Sequence, residues 1–512
     1  MNTITIIVIN TDIISLSLPI INTFSWLFCA AYLIVLIAGI IFAIGKKRGA
    51  VDITLGSLYC TCAITIVLSS NMFLIFCLIE LMIILATALI FNGRNKAARS
   101  SGVRYFVIHV TSGFLILIGL LGSKNITYPL QINNLAITNL ENLPTYILLV
   151  GLLVNVAAPP FSSWLPDSYV HATPTGSIFL TAYTSKTACF LLLKFFLGSE
   201  VLVYVGIFMA MYGIVYALLE VNIRRLVCFI LISNLGLILI FIGYGTADGL
   251  YQIAIAIFNS TVYIALLMLC ASFIVVLTDK NFYDEFCINL LKVKWFLICG
   301  LIGILSLISF PFTTSYITKI SIIANINRED IKIWLIVWNT GMALTAVKLV
   351  WCLSSHYKTA TNFPNSNIQL TRNNALAGLF LAGICVISVF IFQSSMPIIN
   401  WHDIIKQLES ICVSVLAFYL MVPMFYNMKR TTLNFDWLYR VALCKIYLFL
   451  ISPLHKVCYL VKNQDIFNQV YNNKISILVD SKNLNNRLKI KYMIEIMVYI
   501  FIIFTLALLF MP

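Results

Sequence analysis

Charged residues are scarce in this chain, and several long runs of the sequence contain none. Asp, Glu, Lys and Arg make up 10% of the 512 residues, whereas hydrophobic residues make up 61%. The mean hydropathy is +0.98. Soluble domains contain about 25% charged and about 45–50% apolar residues. This composition therefore excludes an ordinary soluble fold and indicates a surface that faces lipid.

The sequence also lacks the patterns that bind cofactors and metals. No glycine-rich phosphate loop follows a predicted strand, and the 14 Cys residues show no metal-ligand spacing. Most of these cysteines lie in apolar runs, where they behave as small apolar residues. We therefore expect no nucleotide, flavin, iron–sulfur cluster, haem or metal, and we find no active site that belongs to this chain alone.

Long apolar runs recur along the chain, each close to the ~20 residues that cross the hydrocarbon of a bilayer. They predict an all-α, polytopic integral membrane protein of about 14 transmembrane helices. A further span is conceivable at 3–22. The predicted spans lie near 24–44, 51–70, 72–92, 104–122, 144–160, 175–197, 201–220, 226–244, 251–275, 294–325, 331–353, 374–394, 408–426 and 493–511.

The basic residues cluster between the predicted spans. Counting the crossings puts all the clusters on one face, which the positive-inside rule makes cytoplasmic. The net charge of +14 then reflects basic loops on one face of the membrane and does not indicate nucleic-acid binding. The clusters lie at 46–48, 94–99, 224–225, 280–294, 358–372 and 429–491.

The last cluster is the most basic segment of the chain. Residues 429–491 contain eleven Lys and Arg against three Asp. Within them, 434–457 mixes aromatic and basic residues, which is typical of an amphipathic segment on the membrane surface. We expect the whole of 429–491 to face the cytoplasm.

Ten of the spans form two sets of five, and the fourth span of each set contains proline. Pro159 and Pro160 interrupt the first set, and Pro311 interrupts the second. An odd number of spans inverts the second copy, and inverted repeats with broken helices are typical of transporters. The predicted organisation is an N-terminal segment at 1–50, the two inverted repeats at 51–197 and 201–353, and a C-terminal segment at 354–512.

A few ionisable residues lie inside the predicted spans. Glu80 is the only charged residue in FCLIELMIILATALIF, residues 76–91. A charge inside the bilayer costs about 3 kcal/mol or more, so such residues are usually paired and functional. Lys186 lies near the middle of its span, and Lys319 follows the proline of the second broken span. We predict a proton relay through these three residues, because the charge of one group changes the proton affinity of its neighbour.

The same kinds of residue have a structural interpretation. Glu80 and Lys186 could form an ion pair that holds two helices together. His109, in VIHVTS, fits a hydrogen-bonded core histidine better than a proton carrier. Lys194 and Lys348 lie near the ends of their spans, where we expect a lysine to extend toward the membrane surface.

Four stretches resemble the antiporter-like proteins, which are the large membrane subunits of respiratory complex I, of membrane-bound hydrogenases and of Mrp-type cation/proton antiporters. PPFSSWLPDSYVHATPTGS (159–177) is similar to the family's P-L-H-x-W-L-P-D-A segment, and IELM surrounds Glu80. VNIRRLVCFILISNLG (221–236) resembles D-x-K-R-L-x-A-Y-S-S-I-S-x-x-G, and FPFTTSYITKISII (310–323) resembles P-x-x-S-G-F-x-S-K. The resemblance covers roughly 51–353, and the last stretch favours the D-type member of the Mrp antiporters.

This resemblance implies a role for three residues. Glu80 falls on the family's key carboxylate, and Lys186 falls on the lysine of the helix after the W-L-P-D loop. Lys319 falls on the lysine of the second broken helix. The resemblance thus implies a path for protons through these side chains, with Asn155, His109 and Arg224 as accessory residues.

Several positions depart from the family's pattern. The lysine expected just before the first break is Asn155. The family's F-N-H-A-x-x-K stretch resembles FNSTVYI (258–264), so Ser260 and Ile264 stand at its His and Lys. These replacements leave fewer ionisable residues inside the predicted spans than the family's pattern has. At three further positions, Tyr169, Asn222 and Arg224 stand where the family has His, Asp and Lys.

The function we predict is that of an antiporter-like subunit of a multisubunit membrane complex, which moves protons or exchanges them for Na+. A second interpretation is a membrane subunit of NADH:quinone oxidoreductase or of a hydrogenase, in which case any enzyme activity belongs to the whole complex. A third is a scaffold subunit that has lost conduction. We expect other membrane subunits, lipid, H+ and Na+ as partners, and a location in the cell membrane.

Overall fold

The computed structural model describes residues 10–11, 14–15, 23–46, 48–69, 71–122, 142–246, 249–278, 280–282, 294–324, 326, 328–354, 368–392 and 401–426. All of them belong to one unit, Met1–Leu433. The segment 429–491 and the predicted span at 493–511 lie outside the described residues. Four described residues near the N-terminus pair as short antiparallel strands, β1 (Asn10–Thr11) and β2 (Ile14–Ser15), and the rest of the span considered at 3–22 lies outside the described residues.

The rest of the described chain is built from α-helices and a short 3₁₀ helix at Phe161–Ser163, just before α6. Each is numbered in chain order. The helices are α1 (Thr23–Ala43), α2 (Gly49–Leu68), α3 (Met72–Phe91), α4 (Lys96–Gly122), α5 (Leu143–Asn155), α6 (Trp164–His171), α7 (Pro174–Ala182), α8 (Thr184–Phe195), α9 (Glu200–Leu219), α10 (Ile223–Gly243), α11 (Leu250–Thr278), α12 (Lys294–Leu307), α13 (Thr314–Ala324), α14 (Glu329–Ser354), α15 (Ile368–Phe392) and α16 (Trp401–Tyr426).

The helices agree closely with the spans predicted from hydropathy. Within the described residues, 11 helical stretches are long and apolar enough to cross a membrane, and two shorter apolar helices lie at Leu143–Asn155 and Trp295–Leu307. Together they correspond to all the predicted spans except 493–511. The all-α, multi-pass membrane architecture is thus confirmed.

Asparagine and threonine side chains begin several of the helices. Asn71 accepts hydrogen bonds from the amides of Phe73 (2.9 Å) and Leu74 (3.1 Å) at the start of α3. Asn222 does the same at the start of α10, where it accepts from the amide of Arg224 (3.1 Å). These side chains satisfy amides that have no partner inside the helix. Asn222 therefore keeps the capping role that the family's aspartate could play.

The first broken helix ends in a tight turn. After α5 ends at Asn155, Ala157 has a positive φ of 62°. The amide of Ala158 donates to the carbonyl of Leu153 (2.9 Å), and the amide of Ala157 donates to that of Val154 (3.0 Å). This pair of bonds around a left-handed residue is a Schellman helix end.

The second broken helix ends in the same way. After α12 ends at Leu307, Ser309 has a φ of 52°. The amide of Phe310 donates to the carbonyl of Leu305 (2.9 Å), and the amide of Ser309 donates to that of Ser306 (3.3 Å). A proline follows each turn at the same distance, so both predicted breaks are present. The boundaries of the two inverted repeats remain predictions.

Two local features differ from the expected pattern. The W-L-P-D segment, expected as a loop, forms α6, because Pro166 lies in the first turn, where a missing amide costs nothing. The predicted span at 175–197 is divided at Tyr183, between α7 and α8. The Tyr183 ring packs edge-on against Tyr32 and Tyr59, with ring centroids 5.6 and 4.9 Å apart.

Helices α9 and α10 pack backbone to backbone through small residues. A Cβ atom at Gly206 would lie 2.7 Å from the Gly236 carbonyl oxygen, and one at Gly213 would lie 2.5 Å from the Ser233 amide nitrogen. Close approach through glycine is a common basis of helix association in membranes. Every residue of α10 is buried.

Lys348 corrects one expectation from the sequence. Its side chain is fully buried in the protein and does not extend outward as expected. The ammonium donates to the carbonyls of Ala217 (3.0 Å), Leu218 (2.6 Å) and Glu220 (2.6 Å) at the end of α9. The partial negative charge of a helix C-terminus stabilises such a cation, which was not evident from the position of Lys348 in its own helix.

Candidate functional site

Glu80 lies on α3 and faces α4. Its side chain is half-buried, and a Cβ atom added to Gly113 would collide with its carboxylate, lying 3.0 Å from the carboxyl carbon. Among the described residues, no hydrogen bond or ion pair engages this carboxylate. The absence of a side chain at Gly113 thus leaves the room that Glu80 occupies.

A buried polar cluster lies on α4 and α5 beside this contact. Asn155 is the last residue of α5, and its Oδ1 lies 2.7 Å from Nδ1 of His109. The Ser112 hydroxyl lies 2.9 Å from the same oxygen and 2.8 Å from the Gly151 carbonyl oxygen. His109 is fully buried, and its Nε2 has no hydrogen-bond partner in the described part of the chain. The break of α5 therefore places an amide against an imidazole.

A second group of polar side chains surrounds the start of α8. The Thr184 hydroxyl is hydrogen-bonded to the hydroxyls of Tyr59 and Tyr105, the latter at 3.1 Å. Thr187 is hydrogen-bonded to Tyr32 at 3.2 Å. Both threonines line a cavity of about 20 Å³, which has room for about one water molecule. Asn155 and three residues of α3, Ile79, Met82 and Ile83, complete part of its wall.

Lys186 follows these threonines on α8 and is fully buried. Its ammonium lies 3.2 Å from the hydroxyl of Ser260 on α11. The Ser260 hydroxyl in turn donates to the Ile257 carbonyl (2.8 Å). Ile264, one turn further along α11, is also fully buried. The residue that stands at the family's histidine thus binds the Lys186 amine directly.

Lys319 lies on α13 in a separate polar cluster. Its ammonium lies 2.5 Å from Oδ1 of Asn339 on α14 and 5.4 Å from the ring centroid of Trp338. The Asn339 amide donates to Gln407 Oε1 (3.0 Å) and to the Ser410 hydroxyl (2.7 Å), both on α16. The amine of Lys319 is therefore held by neutral groups, as is that of Lys186.

Ion pairs do occur in the molecule, but they involve other residues. Asp167 of the W-L-P-D segment lies 3.2 Å from Arg225 and 3.3 Å from Arg104. Arg225 also binds Glu220 at 2.9 Å. This network was not predicted from the sequence, although the aspartate of W-L-P-D was a signal. It holds the start of α10 to α6 and α4, and it contains neither Glu80 nor Lys186.

The accessory candidate Arg224 lies at the basic end of the helices. It donates to the Ala172 carbonyl and to Asn281 Oδ1, each at 3.3 Å. It lines a cavity of about 770 Å³ together with Lys46, Arg48 and further residues near 93–95, 171–175 and 276–282. Several of the predicted basic clusters thus meet at one end.

Lys46 has an unusual environment at this end. Its ammonium is buried and lies 2.7 Å from the ring centroid of Phe42. Burial lowers the pKa of Lys46 well below its ordinary value, and the nearby Asp52 carboxylate partly opposes this effect. Asp52 itself accepts hydrogen bonds from Asn92 and Thr173, each at 2.7 Å.

The candidate residues fall into three separate clusters. In the ranges that the structure describes, no three His, Cys, Asp or Glu side chains come together as metal ligands. The structure brings Glu80, His109 and Asn155 into one neighbourhood, joins Lys186 to Ser260, and places Lys319 in a third cluster. Among the described residues, none of Glu80, His109, Lys186 and Lys319 forms an ion pair.

Comparison with known proteins identifies the class to which this fold belongs. The family described as "NADH:quinone oxidoreductase/Mrp antiporter, TM" matches residues 69–345. This range is more than half of the chain and includes Glu80, Lys186 and Lys319. The chain therefore belongs to this family of membrane proteins, and the resemblance inferred from its motifs is confirmed.

Individual relatives match over part of their length. NADH-quinone oxidoreductase subunit N of Ruthia magnifica subsp. Calyptogena magnifica is 27% identical over 274 residues, which are 48% of this chain and 56% of the relative. Subunit M of Buchnera aphidicola subsp. Acyrthosiphon pisum (strain APS) is 29% identical over 231 residues, which are 40% of this chain and 45% of the relative. The chain thus spans about half the length of these curated relatives.

The fold is similar to a chain in the structure of the Mrp complex from Dietzia sp. DQ12-45-1b. The TM-score is 0.63 at 16% identity, and the match covers 81% of this chain and 87% of that chain. At such low identity the likeness concerns the fold alone. It agrees with the all-α membrane architecture predicted from the sequence.

Proposed function

We propose that this chain relays protons across the membrane as an antiporter-like subunit of a multisubunit complex, with Glu80, Lys186 and Lys319 as the proton carriers. The supporting observation is that none of the three forms an ion pair among the described residues. Unpaired ionisable groups inside a membrane are costly, and they usually line a path for ions.

The partners of the two lysines fit this role. Ser260 and Asn339 are neutral, so each can hold a charged amine without an opposite charge that would fix its protonation state. A serine hydroxyl can also donate to a neutral amine. The interpretation of Glu80 and Lys186 as a structural ion pair has no such contact to support it.

The relatives point to two kinds of assembly. Two of them are named as subunits of NADH-quinone oxidoreductase, and the structural neighbour belongs to an Mrp complex. Purification of the tagged chain from native membranes separates the two: small antiporter subunits indicate the Mrp type, and NADH- or hydrogen-oxidising subunits indicate a respiratory complex. We place the complex in the cell membrane with the basic end of the helices toward the cytoplasm.

The decisive variant is Glu80→Gln, measured in inverted membrane vesicles that carry the assembled complex. Glutamine keeps the size and hydrogen bonding of the side chain but cannot exchange a proton. We expect normal assembly on a native gel and a loss of proton transport of roughly 100-fold or more. The exposed Glu409→Gln on α16 is a matched control with transport unchanged.

Two outcomes would contradict the proposal. Full transport by Glu80→Gln would remove the carboxylate from the relay and favour a non-conducting scaffold. Loss of the assembled complex in Glu80→Gln, with the remaining complex fully active, would instead assign Glu80 a purely structural role.

A further inference from the structure

We propose that His109 exchanges protons with Glu80, and that Asn155 is the positioning residue that holds the imidazole. This inference rests on the proposed function, because it names the proton partner of Glu80 within that relay. It assigns the histidine a role other than that of an ordinary hydrogen-bonded core residue.

The hydrogen bonds around His109 leave one ring nitrogen open. Asn155 Oδ1 is an acceptor, so the His109 Nδ1 that lies 2.7 Å away carries the hydrogen. Nε2 then has a free lone pair, and it is buried without a hydrogen-bond partner in the described residues. A core histidine normally has both nitrogens satisfied. The open nitrogen of His109 is therefore the site where a proton can be added.

The amide of Asn155 is suited to this exchange. An amide presents an oxygen at one end and two N–H donors at the other, and a half-turn of the group exchanges them. Asn155 can therefore serve Nδ1 either as a hydrogen donor or as an acceptor. The Ser112 hydroxyl lies within hydrogen-bond distance of two oxygens, Asn155 Oδ1 and the Gly151 carbonyl oxygen, but it has one hydrogen to donate. When the Asn155 amide turns, Ser112 can donate to Gly151 alone.

Glu80 lies within one helical turn of His109 along α4. Gly113 follows His109 by four residues and so lies on the same face of the helix. The Glu80 carboxylate packs against this glycine. A cavity of about 20 Å³, which has the volume of about one water molecule, lies beside both groups: it is lined by Asn155, which binds the His109 ring, and by Ile79, which precedes Glu80 on α3.

The aromatic rings that pack against His109 carry no formal charge. Its ring lies 4.1 Å from that of Tyr105 and 4.3 Å from that of Trp164, measured between centroids. Tyr169 of α6 packs against Trp164 at 6.0 Å, and its hydroxyl is buried. Asp167, also on α6, is paired with Arg225 and Arg104, so among the described residues of α3 to α6 Glu80 is the acidic side chain without an ion pair that can donate a proton to the ring.

The exchange balances without a further reactant. The O–H bond of protonated Glu80 breaks, an N–H bond forms at His109 Nε2, and the bridging water passes the proton. The products are a carboxylate and an imidazolium, whose Nδ1–H stays hydrogen-bonded to Asn155. Return of the proton to Glu80 restores the neutral ring, and so does transfer of the Nδ1 proton to a water molecule in the cavity beside Asn155 as the amide turns.

The experiment compares His109→Gln with a rescue variant in inverted vesicles that carry the assembled complex. We expect His109→Gln to assemble and to lose proton transport at least roughly tenfold. The double variant His109→Gln with Asn155→Lys supplies an amine at the end of α5 and should regain a large part of the rate. A purely structural role of His109 gives no reason for this rescue. The exposed His402→Gln on α16 is the control, with transport unchanged.

Asn155→Leu provides a second route if His109→Gln does not assemble. It leaves the imidazole in place and removes its acceptor, so transport should fall while assembly persists. Full transport by Asn155→Leu or His109→Gln, together with an inactive Glu80→Gln, would overturn this inference and leave the proposed function standing. An active Glu80→Gln would overturn the proposed function itself.

Discussion

The two broken helices end in the same backbone turn but carry different side chains. The last helical residue before the turn is Asn155 in the first break and Leu307 in the second. Ten residues beyond the positive-φ residue, the first break has Asp167 and the second has Lys319. Asp167 is fixed by two arginines, whereas Lys319 is bound by an amide. The same turn therefore supports a structural ion pair in one half and an unpaired amine in the other.

This difference shows that the break itself does not define the chemistry. The Schellman bonds use backbone groups alone, so the turn forms with either Asn or Leu at the preceding position. What a break provides is an interruption, where polar side chains can approach each other inside the membrane. Under the proposed function, the side chains placed at each break decide whether that half carries protons.

The largest expected difference is between variants of Lys319 and Asp167, the charged residues that follow the two breaks. Lys319→Met should assemble normally and lose proton transport by roughly 100-fold or more, because the methionine fills the space but cannot carry a proton. Asp167→Asn should instead lower the amount of assembled protein, since breaking a buried pair costs about 3–5 kcal/mol. Transport per assembled complex, from vesicle assays and native gels, separates the two. If Lys319→Met and the wild type transport protons equally well per assembled complex, Lys319 has no role in transport that would distinguish it from Asp167.

An intermediate effect is expected from a single methyl group. Gly113→Ala should push the Glu80 carboxylate from its position and lower transport several-fold, because overpacking costs about 1–3 kcal/mol. Gly300→Ala on α12, in the second broken helix, is the matched control, since a Cβ there meets nothing within 4 Å. Its transport should be unchanged. If both alanine variants behave alike, the close approach at Gly113 has no functional consequence.

The smallest effect tests the turns themselves. Ala157 and Ser309 hold positive φ angles that glycine adopts without strain. Ala157→Gly and Ser309→Gly should each raise the thermal stability of the purified protein slightly, by about 0.5–1 kcal/mol, with transport unchanged. Similar shifts in melting temperature would support an equivalent role for the two turns. A gain at one and a loss at the other would separate them.

Local sequence patterns were sufficient for the helices and for the breaks. Apolar runs located the spans, because helix length in a membrane is set by the thickness of the hydrocarbon. Pro159 and Pro311 located the interruptions, because proline cannot continue a helix. Glu80, Lys186 and Lys319 were found for the same reason, since a charge inside an apolar run is visible without a structure.

The contacts of these residues could not be predicted in the same way. His109 and Asn155 are 46 positions apart, and Lys186 and Ser260 are 74 apart. The position of Lys348 near the end of its span predicts a side chain that extends toward the membrane surface, yet the end of α9 lies against it. Such pairings depend on how separate helices pack, and packing in membranes follows small residues and polar contacts that no single segment reveals.

The complete burial of α10 has a consequence for how the protein is assembled. Helices enter the membrane in chain order, so α10 is exposed to lipid before α11 and α14 exist to cover it. Its first neighbour is α9, joined by a short connection and fitted to it through Gly206, Gly213 and Gly236. We therefore expect the α9–α10 hairpin to pack against the earlier helices α6 and α8 before α11 and α14 cover the rest of α10.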